Sequence, residues 1–76
     1  MTARLLIFGD INAERVEQDR KWGGPAHDDE HTHAEWIDYI QEHAAKARAS
    51  PSMYRNQLVR VAALAVAAIE AHDRKV

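Results

Sequence analysis

Residues 61–69 read Val61-Ala62-Ala63-Leu64-Ala65-Val66-Ala67-Ala68-Ile69, without a charged or polar side chain. The run is much shorter than the roughly 20 apolar residues that span a bilayer, so it predicts the middle of a buried helix. A helix that is apolar nearly all round needs neighbours on more than one side. We therefore expect a symmetric contact between copies of the chain through Ala62, Val66 and Ile69.

This run belongs to the last and longest of three predicted helices. The long helix is expected to begin at Ser50-Pro51, with serine as its cap and proline in its first turn, and to end near Asp73. Seven residues at helical spacing form its predicted core face: Tyr54, Leu58, Val61, Leu64, Ala65, Ala68 and Ile69.

A medium helix is predicted before it, from the capping-box pattern Thr32-x-x-Glu35 to about Arg48. Its predicted core face repeats at helical spacing and consists of Trp36, Ile40, Ala44 and Ala47, widened by Ile37 and His43.

The first predicted helix is short, from about Ile11 to Lys21, with Asp10 or Asn12 as its cap. Gly23, Gly24 and Pro25 are expected to end it. Residues 1–10 are predicted to be an N-terminal arm, in which residues 4–8 could pair as an edge strand, and residues 22–32 a polar loop. The predicted fold is all-α: a single domain over residues 1–76, with a three-helix protomer that assembles into a helical-bundle oligomer.

The length, cysteine content and net charge of the chain limit the partners and the cellular location that we expect for it. The chain has 76 residues, no cysteine and a net charge of −2. A protein this small buries only about 60% of its unfolded surface, which favours a homo-oligomer, a dimer or larger. The absence of cysteine excludes disulfides and thiolate metal sites and fits a cytoplasmic location. A slightly acidic chain has no overall field that attracts nucleic acid or a membrane, so neither is an expected partner.

The loop before the medium helix is the first candidate site. Residues 27–33 contain three imidazoles and three carboxylates, groups that bind zinc, manganese, iron or nickel. The candidate ligands are His27, Asp28, His31 and His33, although their spacing matches no closed zinc motif. The alternative is a solvated loop in which Asp28 and Asp29 hold turn amides and His27 packs on Trp22. We expect no cofactor, with a divalent metal at this loop as the open alternative.

A second candidate site is an anion site at the end of the first helix. It would combine the cations Arg15, Arg20 and Lys21 with the ring of Trp22 and the backbone amides of Gly23 and Gly24. No GK[ST] ending follows, so it is not a P-loop. The alternative is an amphipathic helix end with a buried tryptophan.

Nearly the whole chain after Asp10 resembles the MazG-like proteins of phages and bacteria. The resemblance rests on Glu14-Arg15-x-x-Gln18-Asp19-x-Lys21-Trp22-Gly23, then His27, Glu35-Trp36, and Gln57-Leu58-Val59-x-Val61-Ala62-Ala63-Leu64-Ala65-Val66 with Ile69-Glu70. It implies an all-α dimeric or tetrameric bundle. Active members of the family hydrolyse nucleoside triphosphates to monophosphate and pyrophosphate with magnesium.

The chain departs from the family where active members hold magnesium with Glu-x-x-Glu and Glu-x-x-Asp. When the chain is aligned with the family pattern at Trp36 and at residues 61–63, the magnesium positions are occupied by His43, Lys46, Gln57 and Arg60. The only carboxylate that remains nearby is that of Glu42. Magnesium requires oxygen ligands, so we expect hydrolysis to be lost. If Lys46, Arg60, His43 and Arg55 face a groove, the groove could hold phosphate directly; the alternative is that they are solvated flank residues.

Three function hypotheses follow. The leading one is non-catalytic binding of a phosphorylated nucleotide or nucleotide-derived signal, which in a phage would act as an anti-defence sponge in the host cytoplasm. The first alternative is a metal-dependent nucleotide pyrophosphohydrolase that uses Glu35, Asp38 and Glu42, or the loop at residues 27–33. The second is an inhibitor of a host complex that binds protein through an exposed acidic loop, Asp28-Asp29-Glu30.

Overall fold

The protein is all-α over residues 2–75, the range that this computed structural model describes. Within that range four α-helices follow one another: α1 (Ala3–Trp22), α2 (Pro25–Asp28), α3 (His33–Ala49) and α4 (Tyr54–Arg74), with a 3-10 turn at Pro51–Met53. The predicted all-α class is confirmed, but the predicted three-helix protomer is not, because a fourth, single-turn helix, α2, lies between the first and second predicted helices. None of these helices is both long and apolar enough to cross a membrane.

The first helix is much longer than predicted. It begins at Ala3, where the Thr2 hydroxyl accepts a hydrogen bond from the Leu5 amide at 3.3 Å. The predicted N-terminal arm and its edge strand are therefore wrong for residues 3–10. Residues 10 and 12, which were predicted to cap the helix, lie inside it. Met1 lies outside the described residues. Leucines are good helix formers, and Gly9 costs a helix only about 1 kcal/mol, which is too little to end it.

The end of α1 lies where the glycines predict it. Gly23 adopts φ 100°, and its amide donates to the Asp19 carbonyl at 2.9 Å. This left-handed conformation closes a helix at little cost only when the residue is glycine. Pro25 then begins α2, a single helical turn within the predicted polar loop.

The capping box at the start of α3 is confirmed. The Thr32 hydroxyl accepts from the Glu35 amide at 3.2 Å, and the Glu35 carboxylate accepts from the Thr32 amide at 2.9 Å. Ser50 does not cap the last helix as predicted, because its hydroxyl bonds to that of Ser52. A 3-10 turn therefore comes first, and α4 begins at Tyr54.

The central helix is α4, which packs against both α3 and α1. The core is small: Trp36 contacts Ala67 and Ala71, and partly buried Tyr39, Leu64 and Ala68 surround them. The predicted faces are only partly right. On α3, Trp36 and Ala47 are buried but Ile37 and Ala44 are exposed.

On α4 the predicted face is also only partly right: Leu64 and Ala68 pack against the core, but other predicted residues do not. Tyr54, Leu58 and Ile69 are exposed, and the buried residues of α4 are Gln57, Ala63, Ala67 and Ala71. Short side chains let two helix axes come closer together, so the alanine face packs inward although the larger residues lie elsewhere.

Candidate functional site

A cleft of about 540 Å³ separates α1 from α3. Glu14, Gln18 and Lys21 line it from α1, and α4 closes it between the two helices with Leu64 and Ala67. Because α1 and α3 each pack on α4 rather than on one another, the space between them stays open to solvent.

One wall of the cleft is a continuous series of rings. Trp22 stacks on His27 with 6.0 Å between ring centroids, and His27 meets His31 edge-on at 4.8 Å. His31 in turn contacts Trp36 at 5.1 Å and Tyr39 at 5.2 Å. The predicted contact of His27 with Trp22 is confirmed. Trp22 is not the buried anchor, however, because it is 58% exposed while Trp36 is buried.

Arg15 links α1, α2 and α4 at the base of the cleft. Its guanidinium donates to Asp19 at 2.9 Å, to Gln18 at 3.0 Å, to Glu70 at 3.3 Å and to Asp28 at 3.4 Å. The side chains of Arg15 and Asp28 are only 11% and 10% exposed. Arg15, a predicted ligand for an anion, is thus already engaged with three carboxylates.

The two loop carboxylates bind arginines rather than turn amides. Asp28 contacts Arg15, and Asp29 accepts from Arg74 at 2.7 Å. The solvated-loop interpretation is wrong on this point. The proposed acidic docking loop is also incomplete, because Asp28 is buried and only Asp29 and Glu30 are exposed.

The other predicted cations divide into two groups. Lys21 and Arg60 line the cleft and make no ion pair with any residue of the described part of the chain. Arg20 pairs with Glu17, and Lys46 pairs with Glu42 at 3.5 Å; neither cation lines the cleft.

Three further predicted residues also lie outside the cleft lining. Gly23 and Gly24 form the turn after α1, and Gly24 is buried. Arg55 pairs with Asp10 at 2.6 Å and borders a smaller cavity next to Arg60.

His43 lines the cleft and is held by Gln57, which is only 1% exposed. The His43 Nδ1 atom lies 2.7 Å from the Gln57 Oε1 atom. An amide oxygen can only accept, so Nδ1 carries the proton and Nε2 is the acceptor of the neutral ring. His43 on α3 and Gln57 on α4 stand at two of the positions where the resemblance places magnesium ligands, and these two residues are in direct contact.

The four metal candidates do not all meet. His27, Asp28 and His31 line the cleft, but His33 lies apart beside His72, with 6.1 Å between ring centroids. Over residues 2–75 no group of three or more histidine, aspartate or glutamate side chains is placed to hold a metal ion. A metal at this loop stays a prediction.

The Nδ1 atom of His27 is buried and forms no hydrogen bond with the described residues. The nearest carboxylate oxygen, Oδ1 of Asp28, is 3.5 Å away. A buried polar atom without a hydrogen bond costs free energy.

Hydrogen bonds lower the pKa values of three carboxyl groups in and around the cleft. The Arg20 guanidinium lowers the pKa of Glu17, and the Arg74 guanidinium lowers the pKa of Asp29. The backbone amide of Thr32 lowers the pKa of Glu35. These carboxylates are committed to contacts within the protein.

Sequence reasoning missed several residues of the cleft. Tyr39 follows Trp36 at i+3, a spacing that places both on one helix face, and could have been found. Gln57 does not line the cleft but holds His43, which does, and its buried position is revealed only by the packing of α3 on α4. Glu14 and Gln18 looked like ordinary surface residues of a charged helix.

The chain matches no protein-family model, no curated protein and no solved structure.

Proposed function

We propose that the cleft binds a phosphorylated nucleotide, or a signal derived from one, without cleaving it. The observation that carries this proposal is the exposed ring of Trp22 in the same cleft as Lys21 and Arg60, two cations without an ion-pair partner among the described residues. The cleft volume of about 540 Å³ falls in the range of small-molecule sites, roughly 300–1,000 Å³.

Each part of a nucleotide has a suitable group in the cleft. A base would stack on Trp22, an interaction worth about 1–3 kcal/mol. A phosphate would take the guanidinium of Arg60 in a bidentate contact and the ammonium of Lys21 as a point charge. The Nε2 atom of His43 would accept from a base N–H or a sugar hydroxyl.

The side chains at the family's magnesium positions favour binding without cleavage. MazG-like ancestry, which remains a proposal, would put the magnesium ligands at residues 43, 46, 57 and 60. There His43 and Gln57 bond to each other, Lys46 pairs with Glu42, and Arg60 adds a positive charge to the cleft. These residues do not fit a cation that requires several oxygen ligands, which favours binding without hydrolysis.

The α3 carboxylates of the enzyme alternative are also poorly placed. Glu35 is occupied in the capping box, and Asp38 and Glu42 are exposed and do not line the cleft. Binding without turnover lowers the free concentration of a ligand. If the chain comes from a phage, such binding would remove a host defence messenger.

Titration calorimetry tests the proposal, with nucleotides, cyclic dinucleotides and ADP-ribose derivatives as the panel. We expect at least one phosphorylated member to bind with micromolar or tighter affinity. Trp22→Ala and Arg60→Ala should each weaken it at least about 10-fold, from a lost contact of about 1.5 kcal/mol or more.

Arg48→Ala is the matched control, because Arg48 is exposed on α3 and does not line the cleft. Its affinity should equal that of the wild type. Chromatography of the ligand after incubation with magnesium should recover it intact. No binding by any panel member, or equal losses in Arg60→Ala and Arg48→Ala, contradicts the proposal, and released pyrophosphate would favour the enzyme alternative.

A further inference from the structure

We infer that the ligand is a nucleotide whose last phosphate carries a sugar, and that this sugar lies in a second cavity of about 460 Å³ between the middle of α1 and the start of α4. Two carboxylates, two guanidinium groups and one amide line this cavity. The placement rests on the proposed function, because the base and the phosphate must first bind in the cleft. It adds the class of chemical group beyond the phosphate, which the proposed function leaves open.

The second cavity adjoins the cleft, because Glu14 on α1 and Arg60 on α4 line both. The α1 lining runs from Asp10 in the second cavity to Lys21 in the cleft, a rise of about 16 Å along the helix axis. Arg60 thus stands at the boundary between the two cavities. A phosphate bound by Arg60 can carry the nucleoside on its cleft side, toward Trp22, and a second group on the other side.

The carboxylates of the second cavity disfavour a terminal phosphate there. Asp10 and Glu14 line the cavity, and a terminal phosphate carries roughly 1.5 to 2 negative charges at pH 7. Arg55 lies in the same cavity but pairs with Asp10 at 2.6 Å, so it leaves no free cation for a further phosphate. A phosphate that links two groups carries a single negative charge, and the carboxylates repel it less. The group beyond Arg60 is therefore expected to be uncharged.

The polar groups of the second cavity suit hydroxyl groups. An ionised carboxylate accepts at about four lone-pair positions. Asp10 accepts from Arg55, and Glu14 accepts from Gln18 at 3.3 Å, so both carboxylates keep acceptor positions for hydroxyls. The Asn56 amide can donate and accept. None of the described residues that line this cavity carries an aromatic ring, so a second base would find nothing to stack on. A sugar has hydroxyls, no charge and no need of a stacking partner.

Titration calorimetry with matched pairs of ligands tests the placement of the sugar: ADP with ADP-ribose, UDP with UDP-glucose, and GDP with GDP-mannose. For the base that the cleft accepts, the sugar-bearing form should bind at least about 10-fold tighter, as two added hydrogen bonds would give. A diphosphate that binds as tightly as its sugar-bearing form would overturn the placement and leave the proposed function standing, as would binding of cyclic dinucleotides alone. No binding of any nucleotide would overturn both.

The double variant Asp10→Ala/Arg55→Ala removes both members of an ion pair and so leaves no unpaired charge in the second cavity. It should bind the diphosphate and its sugar-bearing form with equal affinity. Glu42→Ala/Lys46→Ala is the matched control, because this exposed pair lines neither cavity, and it should keep the wild-type ratio of the two affinities. An equal loss for both ligands in the first variant would show that Asp10 and Arg55 act on the shape of the cleft, and would count against the sugar.

A second variant keeps the placement testable if the double variant fails to fold. Ala13 is exposed on α1 and lines the second cavity but not the cleft. Ala13→Leu therefore narrows that cavity without removing a polar group, and it should weaken binding of the sugar-bearing form more than binding of the diphosphate. An unchanged ratio of the two affinities would put the sugar outside this cavity and overturn its placement.

Discussion

At the scale of single residues, Arg15 shows how much one side chain connects. Its guanidinium contacts Asp19 on its own helix, Asp28 on α2 and Glu70 on α4. Because the Asp28 side chain is only 10% exposed, water reaches little of its carboxylate, and removing the arginine would leave a nearly buried carboxylate without its ion pair. Sequence analysis proposed Arg15 as a ligand for an anion, because sequence alone does not show which carboxylates come near it.

Replacing Arg15 by methionine tests this role. Arg15→Met leaves a nearly buried carboxylate unpaired, so we expect the free energy of unfolding to fall by about 3 kcal/mol, measured by urea denaturation. The double variant Arg15→Met/Asp28→Asn should recover part of the loss. Arg20→Met removes an exposed pair with Glu17 and should change stability little; an equal loss in the two single variants would contradict the assignment.

At the scale of elements, the helix ends that depend on hydrogen bonds between near neighbours could be predicted, whereas the helix face that packs inward could be predicted only in part. The capping box of α3 and the glycine end of α1 depend on hydrogen bonds within a few residues, and both were predicted. The start of α1 was missed, because residues 5–8 are apolar all round and show no helical period. The inward face of α4 was predicted only in part: Leu64 and Ala68 pack on the core, but its most buried residues are alanines, whose short side chains let the helices come close.

Gly9→Ala tests the extended first helix. A Cβ added at Gly9 meets nothing within 4 Å, so alanine in mid-helix should stabilise the protein by about 0.5–1 kcal/mol. Gly23→Ala is the control, because φ is +100° there and alanine should destabilise. Thermal melts followed by circular dichroism measure both; no gain from Gly9→Ala would mean that residues 3–10 are not helical in solution.

At the scale of the whole molecule, ion pairs between distant residues join the periphery to the central helix. Arg55 at the start of α4 pairs with Asp10, and Arg74 at its end pairs with Asp29. Exposed pairs contribute little individually, but these two attach α1 and the cleft loop to opposite ends of α4. They therefore help to set the shape of the cleft that α4 closes.

Acid should destabilise the protein. The folded-state pKa values of Glu17, Asp29 and Glu35 are lowered by hydrogen bonds, so the unfolded chain binds protons more readily. Their contribution is complete above the unfolded pKa values, about 4, and is lost as the pH falls through the lower folded values.

Urea denaturation between pH 5 and pH 3 measures this dependence. The double variant Asp29→Asn/Glu35→Gln should show a shallower loss of stability with falling pH than the wild type. Glu30→Gln, an exposed residue without an ion pair among the described residues, is the control and should keep the wild-type slope. A double variant with that slope would rule out these carboxyls as the cause.

The amino-acid sequence alone determined the all-α class, the end of α1, the capping box and the contact of His27 with Trp22, because each depends on neighbours within a few residues. Only the tertiary structure decided that Arg15 forms ion pairs with carboxylates, whereas Lys21 and Arg60 form none with the described residues. It also decided that His43 contacts Gln57. Those outcomes depend on how α1 and α3 pack against α4, and a distance between separate helices is set by the fit of their side chains rather than by local sequence.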